Sequence, residues 1–429
     1  MNSIVAARPK ALLALVAMVA TLFVAPAQPA KALAPLTLTD LYSDTTIVTA
    51  KVQIAPGDIA ALRAAPTTYV PATIVLSTPT STTGLINVGF KLKGTTSLAG
   101  ETNLADITAR PSIKIKFNYK TLKKQRLLGL KHITLNSMAQ DTSHIHEWSA
   151  YKLFNAMNVQ APSTGWANVS INGIDRGLYV NIETPDDIFL SKHYSTPSQH
   201  LYEGVALADL MPGNDSGTGD TGAFTTSEGY SQNPSKADLT KLIAAANSPL
   251  ATWWKQMATL TDRSQFIREF AVENFIGHWD GYTGPIINNY YLRDDMQGYF
   301  SILPWGTDQT FGENRATAAV ADIYRTSMTA PAIGFPWIKS NFHVATKKRG
   351  LLFRNCLAYA PCFSEYLRDL KAVSAKATSM KLTTLMQKAI KTTAPYALTN
   401  TPAEAKATVA FVGLQQKSVA ALVAKYKVK

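Results

Sequence analysis

The most informative part of this sequence runs from His278 to Leu292 and reads His-Trp-Asp-Gly-Tyr-Thr-Gly-Pro-Ile-Ile-Asn-Asn-Tyr-Tyr-Leu. A segment with helical apolar spacing precedes it, and a Tyr-Tyr-Leu run typical of a strand ends it. Polar side chains therefore collect where regular structure breaks. We single out Asp280, Asn288 and Asn289 as candidates for chemistry.

A second informative part runs from Ile302 to Gly312 and reads Ile-Leu-Pro-Trp-Gly-Thr-Asp-Gln-Thr-Phe-Gly. It predicts a strand that enters a turn with Asp308 at its mouth. Phosphoryl transfer needs one carboxylate to orient the attacking hydroxyl, and further oxygen ligands to hold a divalent ion on the phosphates. Asp280, Asn289 and Asp308 supply that set. Taken singly, each residue is better explained by a turn, a cap or a surface ion pair, and only their combined order favours the functional interpretation.

The chain that precedes these parts, from about Leu38 to Glu183, has mostly strand-like patterns. One helix interrupts them, from His146 to Met157, and Pro162 follows its end. The predicted strands are Thr46 to Ile54, Ala72 to Leu76, Ile86 to Lys93, Ser112 to Tyr119, Ile133 to Asn136, Ala167 to Asn172 and Gly177 to Glu183.

The later part of the chain is predicted to be helical. The candidate helices are Ala237 to Asn247, Ser264 to Gly277, Thr346 to Leu357, Ser364 to Ala377, Leu382 to Thr392 and Pro402 to Lys425. Residues 205–236 are rich in Gly, Ser, Thr and Asp and predict a loop; a calcium loop would lack its closing acid. We expect an α+β fold with a strand-rich N-lobe over 38–185 and a helical C-lobe over 186–429.

Residues 1–32 have the pattern of a secretory signal peptide: basic residues, an apolar run from Ala11 to Val24, and small residues with prolines. An uncleaved anchor is the alternative. No later segment is expected to span a membrane, because charged or polar residues interrupt each one. We therefore expect a secreted, periplasmic or cell-surface protein of about 400 residues after cleavage, large enough for two lobes.

The formal net charge of +13 comes from scattered lysines and arginines. No recognition helix, zinc knuckle or aromatic RNA-binding signature accompanies them, so we expect no nucleic-acid partner. The two cysteines, Cys356 and Cys362, are separated by a short spacer that contains Pro361. In an exported protein this spacing favours a local disulfide over a metal site.

Taken in order, the motifs resemble the spore-coat-protein-H (CotH) kinase-like family over roughly Leu38 to Leu370. The core of the resemblance is Asp-Gly-Tyr at 280–282, Asn-Asn-Tyr-Tyr-Leu at 288–292 and Pro-Trp-x-x-Asp-x-Thr-Phe-Gly at 304–312. Further matching pieces are Lys93-Gly94-Thr95-Thr96-Ser97, Ser112-Ile113-Lys114-Ile115-Lys116-Phe117, Leu135-Asn136 with Asp141-Thr142-Ser143, Ile171-Asn172-Gly173, Gly177-Leu178-Tyr179-Val180 and Glu183.

The resemblance implies an atypical protein-kinase-like two-lobed fold that uses ATP with Mg or Mn and transfers phosphate to a protein hydroxyl. It implies a catalytic role for Asp280 and metal-ligand roles for Asn289 and Asp308, with Asn288 as a further candidate.

On the strand-rich half, the resemblance places cofactor-binding residues at Lys114, Lys116, Gly94, Ser97 and Glu183. The two lysines are two positions apart on one strand, so they share a face. A solvated basic stripe on an edge strand explains them as well, and a plain hairpin turn explains the glycine and serine. Glu147 is an additional candidate, as an ion-pair partner of the strand lysine.

The sequence departs from the family pattern at two places. Gly306 stands where the family has the first acid of a Trp-Asp-x-Asp motif, and the His144-Ile145-His146 stretch replaces an arginine. Each change removes charge that metal or phosphate binding uses. The alternative to an enzyme is therefore a non-catalytic kinase-fold protein that acts as a surface or coat interaction partner. A glycosidase is a third hypothesis.

Overall fold

Seven strands close into a barrel in the computed structural model, which describes residues 32–94, 110–205, 207–217, 222–229, 231–284, 286–312, 349–397 and 402–428. From Ala34 onward the chain forms one compact unit. The described strands are β1 (Ala34–Pro35), β2 (Ile47–Gln53), β3 (Val70–Ser77), β4 (Ser81–Thr82), β5 (Ile86–Lys93), β6 (Ser112–Lys116), β7 (His132–Asn136), β8 (Thr164–Ile171), β9 (Ile174–Ile182), β10 (Ser198–Gly204), β11 (Phe224–Glu228), β12 (Tyr290–Asp295) and β13 (Phe300–Pro304).

The order of strands around the barrel is β3-β2-β8-β9-β7-β6-β5, and β5 pairs back onto β3. Neighbours are antiparallel except for β2 and β8, which run parallel. The short strands β1 and β4 extend the edge beside β3.

Alternating apolar residues fill the barrel. On β2, for example, Val48, Ala50 and Val52 are fully buried, whereas Lys51 and Gln53 are exposed. The same alternation on β6 places Ile113 and Ile115 inside, together with Phe90 of β5. Lys114 and Lys116 therefore lie on the outer face of the barrel.

The predicted kinase-like fold, with two lobes, a strand-rich N-terminal half and a helical C-terminal half, is wrong. The N-terminal strands form a closed barrel, because β3 pairs with β5 through Val70 to Ile74 and with β2 through Thr73 to Ser77. The C-terminal half contains a second, antiparallel sheet in the order β11-β10-β12-β13. Strand β11 lies inside the segment predicted as a loop over 205–236.

Helices cover both sheets. They are α1 (Leu38–Leu41), α2 (Pro56–Ala64), α3 (His146–Ala156), α4 (Asp187–His193), α5 (Ala237–Ala246), α6 (Leu250–Leu260), α7 (Arg263–Ile276), α8 (Leu351–Ala358), α9 (Ala360–Ser379), α10 (Leu382–Thr393) and α11 (Pro402–Tyr426). The buried α7 binds the edge of the second sheet, because the Gln265 amide donates to the carbonyl of Ile302 and accepts from its N–H at 3.1 Å.

The local disulfide is confirmed. Cys356 of α8 is bonded to Cys362 of α9, with Cα atoms 4.9 Å apart, and both are buried. A single helix does not run through both cysteines, since Pro361 lies in the first turn of α9.

Helix α11 is long and apolar enough to cross a membrane, judged by length and hydropathy alone. One third of its apolar 18-residue stretch is buried in the protein. It packs on α9, α10 and α7. The predicted signal peptide, apart from its last residue, lies outside the described residues. The boundaries predicted for it and for the lobes stay predictions.

Candidate functional site

Asp280 lies just beyond the end of α7, in a turn that the glycine at the helix end makes possible. Gly277 adopts the left-handed conformation, with φ of 70°, and stops the helix. Asp280 is 6% exposed, and its Oδ2 accepts a 2.7 Å hydrogen bond from Nδ2 of Asn289. Its backbone carbonyl accepts from the N–H of Asn288 at 3.1 Å. The structure thus brings Asp280 into direct contact with Asn288 and Asn289, two of the other predicted site residues.

A buried histidine lies beside the other oxygen of Asp280. Nε2 of His278 lies 3.2 Å from Oδ1 of Asp280, and its Nδ1 lies 3.5 Å from Oε1 of Glu273. Burial opposes a charge on this imidazole, but the two carboxylates outweigh it and raise the pKa of His278 to about 10. A positively charged imidazole therefore connects α7 to Asp280.

The space around this histidine has no room for a larger residue at position 281. A Cβ on Gly281 would lie 2.2 Å from Oε1 of Glu273 and 2.5 Å from Nδ1 of His278. Glu273 also accepts hydrogen bonds from the N–H groups of Tyr282, at 2.9 Å, and Thr283, at 2.7 Å. The turn that carries Asp280 is thus tied to α7 through one carboxylate. Sequence reasoning missed His278 and Glu273, although the histidine stands two residues before the predicted catalytic aspartate.

Asp308 lies in the turn that follows β13. Burial, the charge of Asp280 and the charge of Asp141 raise the pKa of the Asp308 carboxyl to about 7, and the Lys93 ammonium opposes them. The half-buried Asp308 is therefore close enough to Asp280 for mutual repulsion. All three predicted residues, Asp280, Asn289 and Asp308, belong to one neighbourhood.

The segment that departs from the family pattern supports this turn. Nδ1 of His146 lies 2.7 Å from the backbone carbonyl of Asp308, and its Nε2 lies 3.0 Å from the hydroxyl of Thr408 on α11. Asp141 orders the turn before α3 by accepting from the N–H groups of Ser143 and His144, at 3.0 and 2.9 Å, and from that of His146, the first helical residue, at 2.8 Å. An Asp side chain that bonds the backbone two residues further on is typical of such turns.

Glu147 and Lys93 complete the charged surroundings of Asp308. Glu147 is buried and accepts a 2.6 Å hydrogen bond from Nδ2 of Asn136. Burial and the charge of Asp308 raise its pKa well above the usual value, while Lys93 lowers it. The Lys93 ammonium lies 5.2 Å from the centre of the Trp305 ring. Sequence reasoning treated Lys93 as part of a motif and assigned it no role.

The predicted lysines of β6 lie on the outer face of the barrel. Lys114 stands opposite Lys91 of β5, and burial followed by the charges of Lys91 and Lys93 lowers its pKa to about 8. Glu203 of the second sheet acts in the opposite direction. Lys116 has a different neighbour, since its ammonium lies 5.5 Å from the ring centre of Tyr69.

The other predicted cofactor residues are placed as follows. Gly94 follows β5 directly and has φ of 115°, and Ser97 lies outside the described residues. Glu183 is 1% exposed and accepts from Nζ of Lys192 at 2.8 Å and from the N–H of Ser163 at 3.0 Å. Burial would raise its pKa, but bonds from His193, Lys192 and Ser163 lower it to about 2. The Glu183 carboxylate is thus committed to the last turn of α4 and to the backbone of Ser163.

The glycine at position 306 has a structural explanation. Gly306 has φ of 51°, and a Cβ placed there would lie 2.7 Å from Cγ and Oδ1 of Asn289. The Asn289 side chain therefore occupies the space beside position 306, where the family pattern has an acid. Its amide nitrogen is bonded to Asp280, so its oxygen is left facing Gly306.

These residues fit a divalent ion with oxygen ligands. Asp280 and Asp308 repel each other, and one buried oxygen of Asp280 accepts no hydrogen bond of good geometry from the described residues. A cation bound between carboxylates and an amide oxygen removes this repulsion.

Comparison with known proteins identifies the family. The chain matches the CotH kinase protein family over residues 100–407. It is also similar to inner spore coat protein H of Bacillus subtilis (strain 168), with 25% identity over 194 residues, 43% of this chain and 51% of that protein. The match thus spans about half the length of this relative. Lys93 and Thr408 lie outside the family match, and Asp141, His278, Asp280, Asn289 and Asp308 lie within it. The chain therefore belongs to the CotH kinase protein family.

Proposed function

We propose that this protein is an exported phosphotransferase that moves phosphate from ATP to a hydroxyl of a protein acceptor, with Mg²⁺ or Mn²⁺. The observation that supports this best is the convergence of Asp280, Asn289 and Asp308 from two separate turns of the second sheet. A buried carboxylate that an amide holds by one oxygen, beside a second carboxylate of raised pKa, is typical of a site built for charge chemistry.

Asp280 is the proposed catalytic residue. The Asn289 amide holds one oxygen of Asp280 and the His278 imidazole lies beside the other, and each oxygen keeps a lone pair with which to accept the proton of an acceptor hydroxyl. The bond from Asn289 orients the carboxylate before the acceptor arrives, and positioning of this kind is the main contribution a protein makes to phosphoryl transfer.

Asp308 and the amide oxygen of Asn289 are the proposed metal ligands, and Asn288 is a further oxygen donor nearby. When bound, the ion neutralises the charge of the phosphates. Lys93 is an added proposal for phosphate binding, because its ammonium lies among the charges of Glu147 and Asp308. Lys114 shares the outer face of the barrel with Lys93 and is the second proposed phosphate-binding cation.

A coat or surface location is proposed as well. The relative from Bacillus subtilis is named as an inner spore coat protein, and residues 1–32 have the pattern of a signal peptide. The structural alternative, a coat protein without catalysis, is favoured by Gly306, because this position contributes no carboxylate to the site.

The test uses the purified protein with ATP and either Mg²⁺ or Mn²⁺. Calorimetry is expected to show metal-dependent binding of ATP, and Asp308→Asn is expected to abolish it. Radiolabelled ATP is expected to label the protein or an added coat extract, and Asp280→Asn is expected to reduce the rate by about 10²- to 10⁴-fold.

The control is Asp187→Asn, which changes an exposed carboxylate on α4 and should leave both ATP binding and the rate of labelling unchanged. Undetectable ATP binding by the wild type would rule out the enzyme and leave the coat-protein alternative. Binding without transfer would assign the site to nucleotide capture.

A further inference from the structure

A second cluster of possible metal ligands lies away from Asp280, between the second sheet and α5. His200 of β10, Asp294 of β12 and Asp238 in the first turn of α5 each offer one ligand atom, and these atoms lie within 4.8 Å of one another. The side chains are 1%, 0% and 8% exposed, respectively. Three distant parts of the sequence thus place an imidazole and two carboxylates in one buried spot.

The hydrogen bond on the far side of the ring fixes how His200 faces the cluster. Its Nε2 lies 2.8 Å from the backbone carbonyl of Asn233, which can only accept, so Nε2 carries a proton. In the neutral ring Nδ1 is then the basic nitrogen. It lies 2.8 Å from Oδ2 of Asp238 and 3.5 Å from Oδ1 of Asp294. Histidine ligands of metals have this arrangement, with one nitrogen bound to the ion and the other donating to a carbonyl.

Asp294 contributes the independent indication of a ligand. Its Oδ1 accepts a 2.7 Å bond from the N–H of His200, but its buried Oδ2 receives no hydrogen bond from a donor in the described part of the chain. The group beside it is the carboxylate of Asp238, which raises the pKa of Asp294 together with burial. Two buried carboxylates in contact need a cation or a shared proton between them.

The Asp238 carboxylate is oriented by a neighbouring tyrosine. The hydroxyl of Tyr202 lies 2.8 Å from its Oδ1 and 3.0 Å from its Oδ2. This hydrogen bond holds the Asp238 carboxylate in an orientation that faces His200 and Asp294. Residues that hydrogen-bond to metal ligands commonly orient those ligands in this way.

We propose that His200, Asp238 and Asp294 bind a divalent transition-metal ion, with zinc as the preferred ion and manganese as the second. One imidazole nitrogen with carboxylate oxygens suits these ions, whereas Mg²⁺ and Ca²⁺ select oxygen ligands alone. The ion joins β10 and β12 to α5, so its role is to stabilise the sheet whose β12 begins directly after Asn289. In the competing arrangement a proton on Nδ1 replaces the ion.

The experiment treats the full-length protein with EDTA, removes the chelator and titrates Zn²⁺ and Mn²⁺ by calorimetry in the Asp308→Asn background, so that the proposed nucleotide site does not contribute. One equivalent of Zn²⁺ is expected to bind and to raise the melting temperature. Asp294→Asn and His200→Gln are expected to weaken binding at least 100-fold, and Tyr202→Phe about 10- to 100-fold.

A spectroscopic measurement uses the protein with all three ligands intact, so its result does not depend on whether the variants fold. Co²⁺ in place of Zn²⁺ is expected to give visible absorption bands characteristic of a low-coordinate site, and stoichiometric Zn²⁺ is expected to remove them. His193→Gln, a partly exposed histidine outside the cluster, is the control and should bind Zn²⁺ as the parent does. Absence of saturable Zn²⁺ and Mn²⁺ binding, or binding that survives Asp294→Asn, would overturn the proposal in favour of a protonated His200.

Discussion

Glu183 and Asp308 each follow a buried strand of the protein, yet the chain surrounds them in opposite ways. Glu183 receives donors from Lys192, His193 and Ser163, and its pKa falls to about 2. Asp308 faces other carboxylates, and its pKa rises to about 7. The first arrangement stabilises the folded protein by itself, whereas the second leaves a repulsion between carboxylates that the proposed cation would remove. Neighbours, rather than residue type, therefore separate a structural acid from a candidate ligand.

The largest loss of stability is expected when the Glu183 carboxylate is replaced. Glu183→Gln should lower the free energy of unfolding at pH 7 by about 2–3 kcal/mol, because a buried acceptor of charged donors is lost. Since the folded-state pKa is depressed, this stability is present above the unfolded-state pKa and is lost as pH falls from about 4.5 towards 2. Urea denaturation at pH 7 and pH 3 measures it.

The matched control is Asp187→Asn at the start of α4, whose carboxylate is exposed and should contribute less than about 0.5 kcal/mol. A Glu183→Gln protein as stable as the wild type at pH 7 would contradict the structural role of this acid.

A smaller effect is expected from filling the space beside Asn289. Gly306→Ala should lower the free energy of unfolding by about 1–2 kcal/mol, because the left-handed backbone is strained with a side chain and the new Cβ contacts the Asn289 amide. Gly173→Ala separates the two causes, since Gly173 has φ of 79° and nothing within 4 Å of its Cβ position. Equal losses in the two variants would show that Asn289 moves aside freely.

The smallest change in the free energy of unfolding, an increase instead of a decrease, is expected for Asp308→Asn. A folded-state pKa raised above the unfolded value means that the wild type loses stability as pH rises from about 4 to about 7. Asp308→Asn removes that loss, so without metal it should be more stable than the wild type at pH 8, by at most about 1 kcal/mol after solvent screening of this half-buried group. Thermal melts at pH 5 and pH 8 with EDTA measure the change. A variant that is less stable at pH 8 would place Asp308 among the structural acids.

Local structure was predictable wherever side chains alternate in a regular way. Strand β5 was predicted with its observed ends, Ile86–Lys93, and α3 differs by one residue at its end. Barrel closure was not predictable, because alternation reports a buried face and not which edges pair. Strand β10 was missed since Ser198, Gln199 and His200 precede its apolar residues and weaken the pattern.

The candidate site shows the same limit. Asp280, Asn289 and Asp308 were predicted through a family resemblance, and Asp280 and Asn289 are in contact. The residues that hold them come from elsewhere. Glu273 belongs to the preceding helix and His146 to one near the barrel, so their roles depend on packing that no local pattern records.

The hydrogen bond between His146 and Thr408 joins residues 262 positions apart. The support of the Asp308 turn therefore depends on α11, which leaves the ribosome last among the described helices. Closing such a long loop is slow compared with forming helices or hairpins. A growing chain that ends before Pro402 has every proposed catalytic and metal-binding residue but lacks the helix that braces them. The contact that His146 makes with α11 therefore forms only after Thr408 has been made, although every proposed catalytic and metal-binding residue comes earlier in the chain.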